Sequence, residues 1–155
     1  MTFRKPTEQE LLLSDQEYLV THNIQDLMAG MLREIVVTKP MDPIQYMVDH
    51  MVLGAEQATQ DALGLSHYRR SKLMAIFGQM DKNGSGAVDF KEIKAHSSKN
   101  GGQALTEEEL REVFRDFDTS GDHQIDSAEF LAFFSRSVKA LSNAEFDIMA
   151  AEMMD

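Results

Sequence analysis

Cysteine is absent from this chain of 155 residues, and basic residues are few. The lack of cysteine excludes disulfides, thiolate metal ligands and a cysteine nucleophile. Lysine and arginine number 15 against 26 aspartates and glutamates, so the formal net charge is −11. Such a charge argues against a nucleic-acid backbone or an anionic membrane surface as partner. A long apolar run is missing as well, and no segment reaches membrane-spanning length.

Signals for export and for catalysis are also missing. The first residues, Met-Thr-Phe-Arg-Lys-Pro, lack the apolar run of a secretion signal, and a threonine in second place does not fit the N-myristoylation pattern. We therefore expect a soluble, cytoplasmic protein. The chain has no phosphate-binding glycine loop, serine elbow or His-Glu-x-x-His zinc motif. We do not expect an enzyme.

The chain does contain two 12-residue runs of oxygen-bearing side chains, residues 81–92 and 118–129. A hard cation such as Ca²⁺ takes about six to eight oxygens, and a short loop supplies them from alternate side chains, one carbonyl and a final glutamate. In the first run the predicted ligands are Asp81, Asn83, Ser85, the carbonyl of Ala87, Asp89 and Glu92. In the second run they are Asp118, Ser120, Asp122, the carbonyl of Gln124, Asp126 and Glu129.

The sixth position differs between the two runs, being Gly86 in the first and His123 in the second. A sharp turn there requires positive φ, which glycine adopts at little cost and histidine adopts with strain. We predict two Ca²⁺ sites, the second of them strained. Zinc is an alternative at His123, although one histidine among oxygen ligands suits zinc poorly. A second alternative is that both runs form solvated turns without a metal. A third is magnesium, but the long glutamate at position twelve can coordinate with two oxygens and favours calcium.

Apolar residues at helical spacing precede both runs. They are Leu73, Ile76, Phe77 and Met80 before the first, and Leu110, Val113, Phe114 and Phe117 before the second. Val88 and Ile125, at position eight of each run, resemble the short strand that joins paired EF-hands. The pattern of that family covers roughly residues 67–141. Thr106 and Glu109 predict a capping box that starts the helix before the second run.

Two amphipathic helices are predicted nearer the N-terminus. The first has an apolar stripe at i, i+3, i+4, i+7 and onward: Ile24, Leu27, Met28, Met31, Leu32, Ile35 and Val36. Asp42 caps the second helix, which begins at Pro43. Its stripe consists of Ile44, Met47, Val48, Met51 and Val52. A hairpin of this size has too little apolar area to be stable alone, so we expect a partner to cover these stripes.

Residues 16–54 resemble the dimerization and docking segment shared by type II regulatory subunits of cyclic-AMP-dependent kinase and DPY-30 proteins. The resemblance rests on Tyr18-Leu19, the helix 23–37 and the run Lys39-Pro-Met-Asp-Pro-Ile-Gln-Tyr-Met47. It implies an antiparallel four-helix bundle of two chains, a homodimer or heterodimer, whose apolar face holds an amphipathic helix of an anchoring protein. The implied interface residues are Ile24, Leu27, Met28, Met31, Leu32, Ile35, Ile44, Met47, Val48 and Met51. The family includes radial-spoke proteins, which implies the axoneme of a cilium or flagellum.

The predicted fold is therefore all-α, with an N-terminal helical hairpin that forms a dimeric four-helix bundle and a C-terminal EF-hand pair. The predicted parts are a flexible arm (1–15), the docking hairpin (16–54), a linker (55–66), the EF-hand pair (67–141) and an amphipathic last helix (142–155). An alternative is that both stripes pack onto the EF-hand half as one core. The last helix either covers the EF-hand groove or extends a partner surface.

The predicted function is that of a calcium-responsive docking adaptor in the axoneme. One alternative is a structural subunit whose loops hold calcium without switching, because buffer-type EF-hands barely open when they bind it. Another is a calcium-modulated kinase-anchoring adaptor outside cilia.

Overall fold

The computed structural model describes residues 3–99 and 105–154. The elements in chain order are α1 (Glu8–Thr21), α2 (Ile24–Thr38), α3 (Pro43–Leu53), α4 (Ala55–Ala58), α5 (His67–Met80), β1 (Ala87–Val88), α6 (Phe90–Lys99), α7 (Glu107–Phe117), β2 (Ile125–Asp126), α8 (Ser127–Ser137) and α9 (Asn143–Met154). The mostly helical fold is as predicted. In the described part of the chain, every helix is too short or too polar to cross a bilayer.

Some predicted positions lie outside the described residues. They are residues 1–2 of the arm, residues 100–104 of the EF-hand pair and Asp155 of the last helix.

Helix starts follow the side chains that were predicted to cap them. The carboxylate of Asp42 accepts a hydrogen bond from the backbone N–H of Gln45 at 3.0 Å, and Pro43 occupies the first position of α3. At the start of α7, the hydroxyl of Thr106 accepts from the N–H of Glu109 at 3.2 Å, and the Glu109 carboxylate accepts from the Thr106 N–H at 2.8 Å. These contacts satisfy N–H groups that the first turn of a helix leaves without partners.

The structure differs from the prediction for the arm. Helix α1 already begins at Glu8, because Thr7 and Glu10 form a capping box that starts a helix in a polar segment. None of its side chains is buried, and Leu12 and Leu13 are 58% and 61% exposed. Residues 8–15 are therefore helical, and this helix contributes nothing to the core of a single chain.

The predicted linker, residues 55–66, is also folded. It contains α4, and Ala58 and Leu65 are 0% and 2% exposed. The side-chain amide of Gln60 accepts from the backbone N–H of Asp42 at 3.0 Å and donates to its carbonyl at 2.7 Å. This segment therefore ties the start of α3 to the EF-hand half instead of separating the two.

The name EF-hand half is used here for α5 to α9 with their loops. The core lies in this half, where the apolar faces of these helices meet. Phe77 meets Phe130 edge to face at 5.3 Å between ring centroids, and Phe117 stacks on Phe133 at 3.8 Å.

Helix α9 packs on α5 and contributes Phe146, which is 0% exposed. Among the described residues of α9, Met153 lines the apolar groove of the EF-hand pair together with Met80 and Phe117, so the helix borders that groove instead of covering it. The extension of a partner surface by this helix stays a prediction.

The two N-terminal stripes are mostly uncovered in the single chain. Met31 of α2 and Tyr46 of α3 are 1% and 2% exposed, whereas Leu32 and Ile44 are 55% and 65% exposed. The Tyr46 hydroxyl donates a hydrogen bond to Glu34, which holds α3 against α2. The alternative in which both stripes pack onto the EF-hand half is therefore not what the structure shows.

A buried polar cluster joins α3 to the EF-hand half. Arg69, 4% exposed, donates to the carbonyl oxygens of Val138 at 2.8 Å and Leu141 at 2.6 Å, and to Asn143 Oδ1 at 3.1 Å. Asn143 Nδ2 in turn donates to Oδ1 of Asp49 at 2.7 Å, and Asp49 is 0% exposed. Burial lowers the pKa of the Arg69 guanidinium, and the negative charge of Asp49 opposes that shift.

We predict that Arg69→Met lowers the free energy of unfolding by on the order of 3 kcal/mol, because it leaves the Leu141 carbonyl without its guanidinium donor and the buried Asp49 carboxylate without its countercharge. Urea unfolding in chelator, followed by circular dichroism, measures this loss. The matched control is Arg70→Met. The Arg70 side chain is 48% exposed and pairs with Asp61 at 2.7 Å, and its loss should cost less than about 1 kcal/mol. Equal destabilisation by both variants would contradict the conclusion that the buried contacts of Arg69 stabilise the fold.

Candidate functional site

The two acidic loops are held side by side by a short antiparallel ladder. Strand β1 pairs with β2 so that Ala87 lies opposite Asp126 and Val88 opposite Ile125. Val88 and Ile125 are each 1% exposed, so their side chains anchor the ladder in the core. The predicted connecting strand is present, and it fixes the position of one loop relative to the other.

The first loop is organised by its first and last carboxylates. Asp81 Oδ2 accepts a hydrogen bond from the N–H of Gly86 at 2.8 Å. The two oxygens of Glu92 accept from the N–H groups of Asn83 at 3.2 Å and Asp89 at 3.0 Å. Glu92 is 8% exposed. Both acids therefore point into the loop that their own backbone encloses.

The second loop repeats this arrangement position by position. Asp118 Oδ2 accepts from the N–H of His123 at 3.0 Å. Glu129 accepts from the N–H groups of Ser120 at 2.8 Å and Asp126 at 3.1 Å. The same hydrogen bonds at equivalent positions mean that the two sequences adopt one loop fold.

The other predicted ligands lie in the same two loops. Ser85 contacts its neighbouring ligands, with its hydroxyl 3.3 Å from Asp81 Oδ1 and 2.8 Å from the carbonyl oxygen of Ala87. In the second loop, the Ser120 hydroxyl lies 3.3 Å from Asp118 Oδ1. The backbone N–H of Gln124, the predicted carbonyl ligand, donates to Asp122 Oδ1 at 3.0 Å.

The second loop gathers carboxylates closely enough to hold a cation. Oxygen atoms of Asp118, Asp122 and Glu129 all lie within 4.8 Å of one another. Negative charges so close repel each other, and a divalent cation between them would relieve the repulsion. Carboxylate and carbonyl oxygens are the ligands that Ca²⁺ prefers, so the residues present fit this ion.

Hydrogen bonds help to keep these acids ionised. Desolvation raises the pKa of Asp118, but the N–H groups of Gly121 and His123 lower it, and the net shift is downward. For Glu129, desolvation likewise raises the pKa, while N–H donors from Ser120 and Asp126 lower it, again with a net downward shift. Both groups are therefore anionic at neutral pH, which is the state that coordinates calcium.

The sixth position of each loop adopts the left-handed conformation, with φ of +85° at Gly86 and +66° at His123. The predicted strain at His123 is therefore present in the backbone. The side chain of His123 lines a surface cavity together with Arg111 and Arg115. The positive charges of these two guanidinium groups disfavour a zinc ion at the His123 side chain, so the zinc alternative gains no support.

The predicted docking face is largely available on the surface of the hairpin. Its members fall into three groups: exposed Leu27, Met28, Leu32, Ile44, Val48 and Met51, half-buried Ile24, Ile35 and Met47, and buried Met31. The exposed members come from both helices. Together they form an apolar surface that the single chain leaves uncovered.

The sequence did not predict the roles of Asp49, Arg69 and Asn143. A signal for one of them was present: Arg69 precedes Leu73 and Ile76 at helical spacing, which places a charge on the buried face of α5. Nothing in the spacing marks its partners, since Asn143 lies 74 residues further along the chain.

We predict that His123→Gly strengthens calcium binding by the second loop. Glycine removes the strain of a positive φ, and the gain is about 0.5 to 1 kcal/mol after the extra entropy of the unfolded glycine is subtracted. The mirror-image control is Gly86→His, which should weaken the first loop by a similar amount. Calcium titration of both variants measures the two effects. Weaker binding by His123→Gly would contradict the strain assignment.

Comparisons with known proteins agree with this geometry. Residues 70–135 match the family model of the EF-hand domain pair. Calmodulin-like protein 6 from Homo sapiens is 34% identical over 67 residues, a match that covers 43% of this chain and 36% of that protein. The chain thus spans little more than a third of the length of this curated relative. These matches confirm the predicted EF-hand pair and support calcium binding by it: residues 70–135 of the chain form an EF-hand domain pair.

Proposed function

We propose that this protein is a calcium-responsive docking adaptor. In this proposal both loops bind Ca²⁺, while the hairpin of α2 and α3 dimerizes and holds an amphipathic helix of an anchoring protein. The observation that carries the proposal is the uncovered apolar face of α2 and α3, which the buried Asp49 attaches to a calcium-binding unit. These features support a binding role.

Calcium would act through the ends of the helices that flank each loop. Asp81 caps the end of α5 and Glu92 lies in the first turn of α6, so a shared ion would join these two helices. Asp118 and Glu129 have the same places at the end of α7 and the start of α8. When bound, the ion supplies the positive charge that these carboxylates lack. The chain's own residues orient the carboxylates through backbone N–H groups.

The hairpin supports self-association because of what it leaves exposed. Leu32, Ile44 and Met51 are 55%, 65% and 56% exposed on adjacent helices. Exposed apolar side chains that are grouped on neighbouring helices favour an interaction site over a free surface. A second hairpin, of this chain or of a related one, would cover the patch and complete a four-helix bundle with a groove for a partner helix.

The setting that we propose is the axoneme of a cilium or flagellum. This part of the proposal rests on the resemblance of residues 39–47 to docking segments that include radial-spoke proteins. A fluorescently tagged copy in ciliated cells should line the axoneme. Signal confined to kinase-anchoring sites outside the cilium would favour the kinase-anchoring alternative.

A structural subunit with permanently bound calcium is the second candidate. It is favoured by Arg69, which fixes the start of α5 against the chain that follows α8. Fluorescence of an apolar dye separates the two candidates, because an adaptor exposes more apolar surface when calcium binds. A fixed subunit gives the same dye signal in calcium and in chelator.

We predict that the chain binds two calcium ions and that Glu92→Gln and Glu129→Gln each remove one. The glutamate at position twelve supplies two ligand oxygens, so its amide leaves the shell incomplete. Titration calorimetry gives the stoichiometry. Glu108→Gln, at an exposed acid of α7 that lies outside the loops, is the control and should still bind two ions. A stoichiometry of one in the unmodified protein would overturn the second site.

We also predict that Leu32→Asp converts a dimer into a monomer, because a charge on the apolar face opposes the burial of that face. Light scattering after gel filtration, at several micromolar concentrations, measures the mass. The control is Ile148→Asp, since Ile148 is 61% exposed on α9, away from the hairpin stripes. That variant should remain dimeric. An unmodified protein that is monomeric at every concentration would count against the dimer.

A further inference from the structure

Arg69 connects two helices that lead to different calcium loops. It lies in the first turn of α5, whose far end is capped by Asp81, the first ligand of loop one. Its guanidinium group bonds to the carbonyls of Val138 and Leu141, which follow the end of α8. Helix α8 begins beside the second loop and contains Glu129. One side chain therefore joins the ends of α5 and α8 that lie farthest from the loops.

This position makes the Arg69 contacts sensitive to the angle between α5 and α8. Helix α5 has 14 residues, so at about 1.5 Å per residue it is roughly 21 Å long. A rotation of about 20° at the loop end would displace the other end by roughly 7 Å, which is more than twice the length of a hydrogen bond. The contacts can therefore persist only over a narrow range of helix arrangements.

The amide of Asn143 extends this connection to the docking hairpin. Its oxygen accepts from Arg69 at 3.1 Å, while its nitrogen donates to Asp49 Oδ1 at 2.7 Å. Asp49 is fully buried, and the same oxygen also accepts from Gln45 at 2.8 Å. Its second oxygen, Oδ2, has no hydrogen-bond partner among the described residues. A buried carboxylate with so few donors depends strongly on the Asn143 amide.

We propose that Arg69, Asn143 and Asp49 form a relay that couples calcium binding in the loops to the attachment of the docking hairpin. The inference rests on the proposed calcium binding and extends it to α3, a helix without calcium ligands. The relay and the ion favour the same conformation. In the arrangement that permits the Arg69 contacts, the loop-two acids Asp118, Asp122 and Glu129 lie within 4.8 Å of one another, where a cation stabilises them.

When calcium and the relay contacts favour the same conformation, each increases the stability of the other by the same free energy. Calcium should therefore hold α3 more firmly on the EF-hand half. Cutting the relay should weaken calcium binding by roughly fivefold, at the lower end of the usual coupling range. Asp49→Leu cuts the relay at the hairpin and Asn143→Leu cuts it at α9. Both variants leave the loops unchanged.

Amide hydrogen exchange on the full chain, in excess calcium and in chelator, tests the relay. In the unmodified protein, calcium should slow exchange both in the loops and in residues 43–53, by roughly fivefold or more in the latter. In Asp49→Leu and Asn143→Leu, the loops should still respond and residues 43–53 should not. Glu56→Leu removes the same charge from an exposed position of α4 and should behave like the unmodified protein.

The outcomes separate the relay from the proposed calcium binding. Loops that respond while residues 43–53 of the unmodified protein do not would overturn the relay alone. The relay is also overturned if residues 43–53 respond to calcium in both relay variants as strongly as they do in the unmodified protein. Loops that show no response to calcium would overturn the proposed function, and the relay with it. Circular dichroism confirms folding of each variant, and Asn143→Leu, which changes no charge, decides the matter if Asp49→Leu does not fold.

Discussion

The antiparallel contact between Val88 and Ile125 is the constraint on which the rest of the structure depends. Each residue precedes a predicted calcium ligand, Asp89 or Asp126, and each side chain is anchored in the aromatic core. One loop therefore cannot change its backbone without moving the other. Because every loop also sets the directions of two helices, this ladder determines how α5, α6, α7 and α8 meet.

Charge is distributed unevenly in relation to this core. The chain has a net charge of −11, and most of its described acidic side chains are exposed. Backbone N–H groups hold the acids of the two loops in place. Two of the described acids are buried: Glu92 in the first loop, and Asp49, which forms a cluster with Arg69 and Asn143 that spans α3, α5 and α9. A polar junction of this kind costs more free energy to bury than apolar contact would, and it fixes one geometry in return. The hairpin is thus held at a defined place while its apolar face stays open to a partner.

The sequence predicted the features that depend on local spacing. The loops, the strand residues and the caps at Asp42 and Thr106 are all set by residues within a few positions of each other. Contacts across long separations were not predictable in this way: the Arg69 network needs residues 69, 138 and 143 to meet. The supposed linker 55–66 has a polar, small-residue composition, and the sequence did not show that it would be ordered by the contact of Gln60 with Asp42 and by the burial of Ala58 and Leu65.

We expect the two loops to bind calcium as one paired unit. The most direct measurement is nuclear magnetic resonance of the backbone N–H groups of Gly86 and His123, which donate to Asp81 and Asp118 at 2.8 Å and 3.0 Å. If the two loops bind calcium as a pair, both signals shift as calcium is added and stop changing together at two equivalents per chain. Signals that stay in place at a large excess of calcium, or a shift at Gly86 alone, would contradict it.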